Sequence, residues 1–386
     1  MLQPGAAPLH STRPDDGPLD RPLRLQYGSL FRGGSLDVTD LPAARAARQS
    51  PLRVAVLHNV DFLEARPEER VARAEVENVA RAVAASLEGH EVALVPVESD
   101  LSRLRARLLD FRPDCAFNLC ESLANDGRLE SAVPLILELM DIPFTGSPPE
   151  ALGRAVEKHA LNVTLRTHGV PAPPGQLLHG PDDRCELAFP LLVKPSREDG
   201  SIGISAKSVV RSQHELRAVV TEITSELRQP CLVEPFIEGR EFAVSLLGWP
   251  EPEPMPLTEI DFSRLPPGAP HIVCYRAKWE LESAECRGTV PRVDPALPDA
   301  AKARIRAAAL GAFRIAGLRD YGRVDVRLSP DGTPWVIDVN PNCDLSPDAG
   351  FARAARAGGI EFPALVRRLL SMAISRSANA HERQTA

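Results

Sequence analysis

The chain has 386 residues, of which 44% are hydrophobic, and a formal net charge of -7 at pH 7. A chain of this length and composition builds two or three globular domains with sizeable cores. The acidic balance argues against a protein that works on nucleic acid, so a small molecule is the expected partner. Seven cysteines without a CxxC pair predict reduced thiols and a cytoplasmic location. No apolar run approaches the length of a membrane span, so no membrane partner is expected.

The first part of the chain reads as an arm followed by an α/β domain. Residues 1–50 are rich in proline and glycine and show no sustained period of 2 or 3.6 residues, which predicts an extended arm. From Leu52 onward, short apolar strands alternate with amphipathic helices. This alternation predicts a parallel sheet that binds its ligands beyond the carboxyl ends of the strands. That edge would hold residues 58–61 and 120–127.

A helix and a glycine loop follow, each with a lysine. Residues 151–169 are predicted to form one amphipathic helix that carries Lys158. The strand at 189–195 delivers Lys194 directly before the loop 196–204, whose glycines let backbone N–H groups approach an anion. Such a loop alone is equally compatible with an ordinary turn, but the lysine in front of it favours a phosphate site.

The middle of the chain combines strands with a long irregular stretch. Residues 231–248 are predicted to form two strands around a turn at Gly239, with Glu234 and Glu241 on either side of it. Residues 249–298 are rich in proline and charge and predict a long functional loop. The remaining helices are predicted at 213–227, 298–316 and 361–374.

Residues 323–344 read as a β-hairpin, because apolar and polar residues alternate on both sides of a Pro-Asp-Gly turn. The alternation puts Asp325 on the polar face of the first strand, and Asp338 and Asn340 on that of the second. A two-residue Asp-Gly turn would place Asp325 opposite Asp338, whereas a bulged turn would shift the register by one residue. Carboxylate and amide oxygens that converge in this way hold Mg²⁺ against phosphates. The alternative is the solvated face of an edge hairpin.

In this order, the motifs resemble the D-alanine–D-alanine ligase family of the ATP-grasp superfamily over roughly residues 52–372. The segments that carry the resemblance are Phe-Thr-Gly-Ser (144–147) with Glu157 and Lys158, Val-Lys-Pro-Ser-Arg-Glu (193–198), Val-Glu-Pro-Phe-Ile-Glu-Gly-Arg-Glu (233–241), Ala-Lys-Trp (277–279), Gly-Arg-Val-Asp (322–325) and Asp-Val-Asn-Pro (338–341). Any one of them could occur by chance, but six in the family order are not a coincidence.

The resemblance implies both a fold and a division of the chain. The implied fold is α/β, with an α+β ATP-binding part: an ATP-grasp fold preceded by an N-terminal Rossmann-like preATP-grasp domain. The implied parts are the proline-rich arm (1–50), the preATP-grasp α/β domain (51–150), the small lid domain of the ATP-grasp fold (151–246), the C-terminal catalytic domain (247–375) and a polar tail (376–386).

The resemblance also implies roles for individual residues. The residues implied to bind ATP are Lys158 and Lys194 at the phosphates, Ser201 in the covering loop, Glu234 near the adenine amino group, Phe236 as a further nucleotide contact, and Glu241 at the ribose. The residues implied in catalysis are Lys278 at the transferred phosphate, Arg323 at the tetrahedral intermediate, and Asp325, Asp338 and Asn340 as ligands of Mg²⁺ or, alternatively, Mn²⁺. Each has a plainer alternative as a surface lysine, a solvated glutamate or a strand-end arginine. The chemistry agrees, because cations must neutralise a carboxylate and a γ-phosphate that approach each other.

The departures from the family pattern concern the first substrate site. The family's glycine-rich loop and glutamate after the first strand are absent, and Asp61 or Glu64 is a candidate replacement for the glutamate. Gly200 replaces a serine, Trp279 replaces a tyrosine, and Cys120 stands where a histidine is common.

The second substrate site departs as well. Asp344 lies where the family binds the carboxylate of the second D-alanine, and Ala349 replaces a serine. A negative Asp344 would repel an amino-acid carboxylate or prefer an amine. Asp338 is also shorter than the family's glutamate by one C–C bond, about 1.5 Å.

These features predict an ATP-dependent carboxylate–amine ligase that forms an amide through an acyl phosphate, releases ADP and phosphate, and uses substrates other than two D-alanines. The alternatives are D-alanine–D-alanine ligase itself and a non-catalytic nucleotide-binding module. The expected partners are small-molecule carboxylates and amines, with no nucleic acid and no membrane, and a homodimer is left open.

Overall fold

The computed structural model describes the backbone of residues 51–60 and 67–385, and the side chains of residues 51–60 and 76–377. The arm at 1–50 and the two candidates Asp61 and Glu64 lie outside the described residues. Within these ranges, none of the helices combines the length and the apolar character that a membrane span requires. The described strands fall into three sheets.

A parallel α/β unit opens the described chain. Its elements are β1 (Arg53–Asn59), α1 (Pro67–Ala85), β2 (Glu91–Val97), α2 (Leu101–Phe111), β3 (Cys115–Asn118) and α3 (Ala132–Leu139). The strands pair in parallel in the order β2-β1-β3, which confirms the predicted parallel sheet. Asn59 and Asn118 end two strands and fix the loop that follows β3: Asn59 Nδ2 donates to the Ser122 carbonyl (2.6 Å), and Asn118 Oδ1 accepts from the Cys120 N–H (3.2 Å). This loop therefore lies at the carboxyl edge of the sheet, as predicted.

The helix that carries Lys158 is interrupted, so the prediction of one helix over 151–169 is wrong. Two helices, α4 (Pro149–Val156) and α5 (Lys158–Thr167), are separated by Glu157, whose ψ of 65° lies outside the helical region. The break makes Lys158 the first residue of α5. Its side chain leaves the helix at the N-terminal end, where it meets two other segments of the chain.

The second sheet is antiparallel. Its strands are β4 (Gln176–Leu178), β5 (Leu191–Pro195), β6 (Val209–Val210) and β7 (Cys231–Pro235), in the order β4-β7-β5-β6, and helix α6 (Gln213–Glu226) lies beside them. Leu216 and Val220 of α6 share an apolar core with Val193 of β5. The pairing of β5 with β7 brings Lys194 and Glu234 onto adjacent strands.

The third sheet is the largest described. Its strands are β8 (Arg240–Gly248), β9 (Glu253–Pro254), β10 (Thr258–Asp261), β11 (Val290–Val293), β12 (Asp320–Leu328) and β13 (Pro334–Asn340), in the order β11-β10-β8-β12-β13, with β9 paired to β8. The prediction of a loop throughout 249–298 is therefore wrong, because β9, β10 and β11 belong to this sheet. Between β10 and β11, residues 262–289 carry the short helices α7 (Tyr275–Trp279) and α8 (Ala284–Gly288), and we call this segment the flap.

The chain crosses from the second sheet to the third at Gly239. Strands β7 and β8 flank this glycine as predicted, but they belong to different sheets. Gly239 has a φ of +139°, and a Cβ atom there would lie 2.1 Å from the carbonyl oxygen of Leu328. The crossing therefore requires glycine, which adopts this backbone conformation and leaves room for the neighbouring strand.

Strands β12 and β13 form the predicted hairpin with two irregularities that compensate each other. Of the two turns that the sequence left open, the structure has the longer one with the shifted register, because the Ser329 N–H donates to the Thr333 carbonyl (3.0 Å). This longer turn shifts the pairing by one residue, and a bulge at Ile337 shifts it back. Asp325 therefore faces Asp338, as predicted.

The remaining helices contribute to the apolar cores of the first and third sheets. They are α9 (Asp299–Ala316), α10 (Gly350–Ala357) and α11 (Phe362–Thr385). Helix α11 is longer than the predicted 361–374 and continues through most of the residues assigned to the tail. Its residues Leu365 and Leu369 share one apolar core with Val54 and Phe117 of the first sheet. Helix α11 thus completes the apolar core of the first sheet.

Candidate active site

Lys158 lies between two carboxylates. Its ammonium is 2.5 Å from Asp199 Oδ1 in the loop after β5 and 3.0 Å from Asp338 Oδ1 on β13. Burial alone would lower the pKa of Lys158, but the attraction of Asp199 and Asp338 outweighs it and raises that pKa well above the ordinary lysine value. The same contact lowers the pKa of Asp338 against the opposing effect of its burial. Both groups are therefore charged at neutral pH.

Lys194 and Glu234 form a second buried ion pair. The ammonium of Lys194 is 2.9 Å from Glu234 Oε2, and it also donates to the Ile337 carbonyl of β13 (3.3 Å). Asn162 of α5 donates to the other oxygen of Glu234 (2.6 Å). The Glu234 side chain is only 2% exposed. The predicted phosphate lysine and the predicted adenine acid are thus held together where the second and third sheets meet.

Glu241 is bound by an arginine for which the sequence suggested no role. Arg327 of β12 donates to Glu241 Oε2 from Nε (3.0 Å) and Nη2 (2.7 Å), and both side chains are buried. The guanidinium also lies 5.1 Å from the centre of the Phe236 ring. The predicted ribose acid and Phe236 therefore form one cluster around Arg327.

The glycine loop is joined to the flap. Ser201 has a φ of +63°, and its hydroxyl donates to the carbonyl of Val273 in the flap (2.8 Å). The indole N–H of Trp279 donates to the carbonyl of Gly200 (2.9 Å). These two hydrogen bonds join the flap and the loop 196–204 into one continuous cover. The Ser201 hydroxyl makes one of the two bonds.

Arg323 holds the first predicted metal ligand. Its Nε and Nη2 atoms donate to the two oxygens of Asp325 at 2.8 and 3.0 Å, and Asn340 Nδ2 is 3.5 Å from Asp325 Oδ2. Burial opposes the charge of Arg323, but Asp325 outweighs this effect and raises the pKa of the guanidinium. Among the described residues, no three His, Cys, Asp or Glu side chains are grouped as a metal site. A cation here would be held by two carboxylates and the amide oxygen of Asn340, a donor set that fits Mg²⁺.

Lys278 brings a cation to the same place from the flap. Its side chain remains open to solvent, yet the walls of the cleft partly desolvate the ammonium. This desolvation, followed by repulsion from Arg323, lowers the pKa of Lys278, while Asp325 and Asp338 oppose the shift. Lys278 therefore shares its electrostatic environment with the hairpin residues, as predicted.

Comparisons with known proteins bear on the family of this chain. A family model described as the D-ala D-ala ligase C-terminus matches residues 182–371. The D-alanine–D-alanine ligase of Desulforudis audaxviator is 32% identical over 306 residues, which cover 77% of this chain and 92% of that protein. The chain belongs to the D-alanine–D-alanine ligase family. An uncharacterized protein of Sinorhizobium fredii is 31% identical over 304 residues, which cover 76% of this chain and 87% of that protein.

Solved structures agree on the fold of this family member. A crystal structure of the D-alanine–D-alanine ligase of Bacillus anthracis complexed with ATP resembles this chain with a TM-score of 0.64 and 22% identity. The match covers 85% of this chain and 99% of that chain. The predicted ATP-grasp fold is therefore confirmed, and this member of the D-alanine–D-alanine ligase family is an ATP-grasp ligase.

Sequence reasoning missed two carboxyl groups in the cleft of this ligase. Glu121 is an exposed residue in the loop after β3, yet the residues around its carboxyl group desolvate it and raise its pKa to about 8. Asp344 raises this pKa further, whereas Arg323 opposes it. Glu130 is buried, and desolvation followed by repulsion from Asp199 raises its pKa well above the ordinary value. Both lie in or directly after the loop that the strand pattern placed at the binding edge, and that position was the available signal.

The residues just beyond the hairpin connect the loop of Glu121 to strand β12. Asn342 accepts from the Tyr321 hydroxyl (2.7 Å) and donates to the Cys120 carbonyl (2.7 Å). Asp344 accepts from the Ser346 N–H (2.7 Å). The segment predicted to differ in its substrate contacts is therefore fixed against the loop that carries Glu121.

Proposed function

We propose that the protein is an ATP-dependent carboxylate–amine ligase that forms an amide bond through an acyl phosphate and releases ADP and phosphate. The observation that carries this proposal is the hairpin pair Asp325 and Asp338, which Arg323, Lys158 and Lys278 surround with positive charge. A carboxylate and a γ-phosphate can approach each other only where cations neutralise both. A protein that only bound nucleotide would not need Arg323 and Lys278 beside the metal ligands.

The nucleotide end of the proposed site lies between the second and third sheets. We assign Lys158 and Lys194 to the phosphates, under the loop that contains Ser201. We assign Glu234 and Phe236 to the adenine end and Glu241 to the ribose. The ion pairs described above support this assignment, because they keep these side chains buried and ordered within reach of one ligand.

The predicted cation, Mg²⁺ or alternatively Mn²⁺, would be held by Asp325, Asp338 and Asn340. When bound, it would offset the negative charge that accumulates on the phosphates during transfer. Asp325 is paired with Arg323, so the guanidinium also stays beside the reacting centre. There it can stabilise the oxyanion that forms when an amine attacks the acyl phosphate.

The acidic side of the cleft supports an acceptor other than D-alanine. The charge of Asp344 raises the pKa of Glu121, and Asp344 occupies the place implied for an acceptor carboxylate. A carboxylate-bearing acceptor would be repelled there, whereas an amine without a nearby carboxylate would be attracted. Glu121 is also suited to accept a proton from an ammonium nucleophile, because its pKa of about 8 lies near neutral pH.

The decisive experiment measures ADP release from ATP with Mg²⁺ and pools of small carboxylic acids, amino acids and amines. We expect turnover with a carboxylic acid and an amine that lacks an adjacent carboxylate. Turnover on D-alanine alone would identify D-alanine–D-alanine ligase itself. ATP binding without turnover on any pool would favour the non-catalytic module.

A variant separates the substrate assignment from the rest of the site. Asp344→Asn should improve kcat/KM for acceptors that carry a carboxylate, because it removes the repelling charge. Asp348→Asn, an exposed position four residues away, is the matched control and should leave this preference unchanged. An unchanged acceptor preference in Asp344→Asn would contradict the assignment.

A further inference from the structure

Lys158 has a second partner that an ATP-binding lysine does not need. Asp338 already supplies one counter-ion at 3.0 Å, and Asp199 approaches more closely, to 2.5 Å. The two acids differ in their surroundings, since Asp338 belongs to the third sheet and Asp199 to the loop 196–204. The Asp199 side chain is 45% exposed, whereas that of Lys158 is only 8% exposed. Asp199 is therefore the partner that can move away into solvent.

The backbone after Asp199 is suited to such a movement. Gly200, Ser201 and Gly203 have φ values of +64°, +63° and +70°, so the chain reverses direction over a few residues. Glycine adopts this conformation and its alternatives at little energetic cost. The loop carries the flap with it, because Trp279 is bonded to the Gly200 carbonyl. The contact between Asp199 and Lys158 thus fastens the whole cover to helix α5 and, through the contact of Lys158 with Asp338, to the third sheet.

The carboxylate of Asp199 occupies the kind of position that a phosphate oxygen takes beside a lysine. Both are oxygen anions that form a short, charge-assisted hydrogen bond to the ammonium. Asp338 is already one anionic partner of Lys158, so a phosphate placed beside Asp199 would be the third anion around a single cation and would be strongly repelled. Asp199 must leave when the phosphate arrives.

We infer that Asp199 is an internal substitute for a nucleotide phosphate, which holds Lys158 and the cover in place until ATP displaces it. The inference rests on the proposed nucleotide site and adds the regulation of its affinity. ATP binding includes the work of breaking the contact between Asp199 and Lys158. A variant without this carboxylate should bind ATP more tightly. If Asp199 instead served to position Lys158 for the phosphates, the same variant would bind ATP more weakly.

The test is the dissociation constant for ATP, measured by calorimetry with and without Mg²⁺, in the wild-type protein and in Asp199→Asn. We expect binding about tenfold tighter in the variant, which corresponds to about 1.4 kcal/mol. Glu198→Gln is the matched control, because it removes one negative charge from the neighbouring residue, which is bonded to Gln229 (2.7 Å) rather than to Lys158. Its affinity should stay within about twofold of wild type.

Two further variants and a ligand without phosphates keep the test specific. Asp199→Ala should also bind ATP more tightly, while Asp199→Glu, which keeps the charge, should remain close to wild type. Adenosine has no phosphates, so its affinity should be the same in wild type and Asp199→Asn. Equal or weaker ATP binding by a folded Asp199→Asn protein would overturn the inference alone. Absence of ATP binding by wild type and variants would overturn the proposed nucleotide site and, with it, the inference.

Discussion

Asp320 is expected to be one of the most sensitive positions for stability. It is fully buried at the start of β12, where it forms an ion pair with Arg376 of α11 and accepts from the Gly146 N–H at 2.9 Å. Arg376, which is 13% exposed, also donates to the Phe144 carbonyl (2.7 Å). Asp320→Ala would leave the Arg376 cation buried without its counter-ion. Removing one partner of a buried pair costs about 3–5 kcal/mol, so the melting temperature should fall by roughly 5–10 °C.

The assay is thermal unfolding of the single variants and of the double variant Asp320→Ala/Arg376→Met. The double variant removes both charges, so its loss should be smaller than the sum of the two single losses. The exposed pair of Glu251 and Arg314, at 2.7 Å, provides the control, and Glu251→Ala should cost less than about 1 kcal/mol. A loss below about 1 kcal/mol in Asp320→Ala, or strictly additive losses in the double variant, would refute the reasoning.

Three further predictions test the site and the fold. Asp325→Asn and Lys278→Ala should each abolish ADP release while leaving the circular dichroism spectrum unchanged, and wild-type rates in either variant would contradict the assigned roles. Glu121 binds its proton more tightly in the folded state, so folding stability should fall as pH rises from 4.5 to about 8. Melting temperatures of Glu121→Gln over this range should show a smaller fall than those of wild type, and an identical fall would argue against the shifted pKa. Gly239→Ala should lower the free energy of unfolding by at least about 2 kcal/mol because its Cβ would clash with the Leu328 carbonyl, whereas Gly153→Ala, with nothing within 4 Å, should not destabilise the protein.

The sequence was sufficient to find the hairpin and its acids, because period-two alternation and motif order depend on nearby residues. Asp325 and Asp338 face each other as a two-residue turn would have placed them, although the turn is the longer alternative. The extra residue in the turn and the bulge at Ile337 cancel, and a local pattern reveals neither. The interruption at Glu157 was missed for a related reason, since glutamate itself is a good helix former and nothing in the neighbouring sequence marks the break.

The residues that the sequence did not reveal act through distant partners. Asp199 matters because it pairs with Lys158, which lies 41 positions earlier in the chain. Arg327 matters because it pairs with Glu241, which lies 86 positions earlier. Glu121 becomes unusual only because the cleft desolvates it next to Asp344. Such pairings arise from the fold as a whole. For Arg327, the signal available in the sequence was that it shares a strand face with a predicted ligand.

Helix α11 has a consequence for how the protein is made. The first sheet is synthesised early, but Val54 and Phe117 are covered by Leu365 and Leu369, which leave the ribosome some 250 residues after Phe117. Until then, this apolar face of the nascent sheet has only part of its cover, from Ala80, Val83 and Leu87, and the rest is exposed to aggregation or to chaperones. The α/β unit is thus continuous in sequence order, yet its core is complete only after α11 has been synthesised. A fragment truncated before α11 should therefore be recovered mainly as insoluble protein.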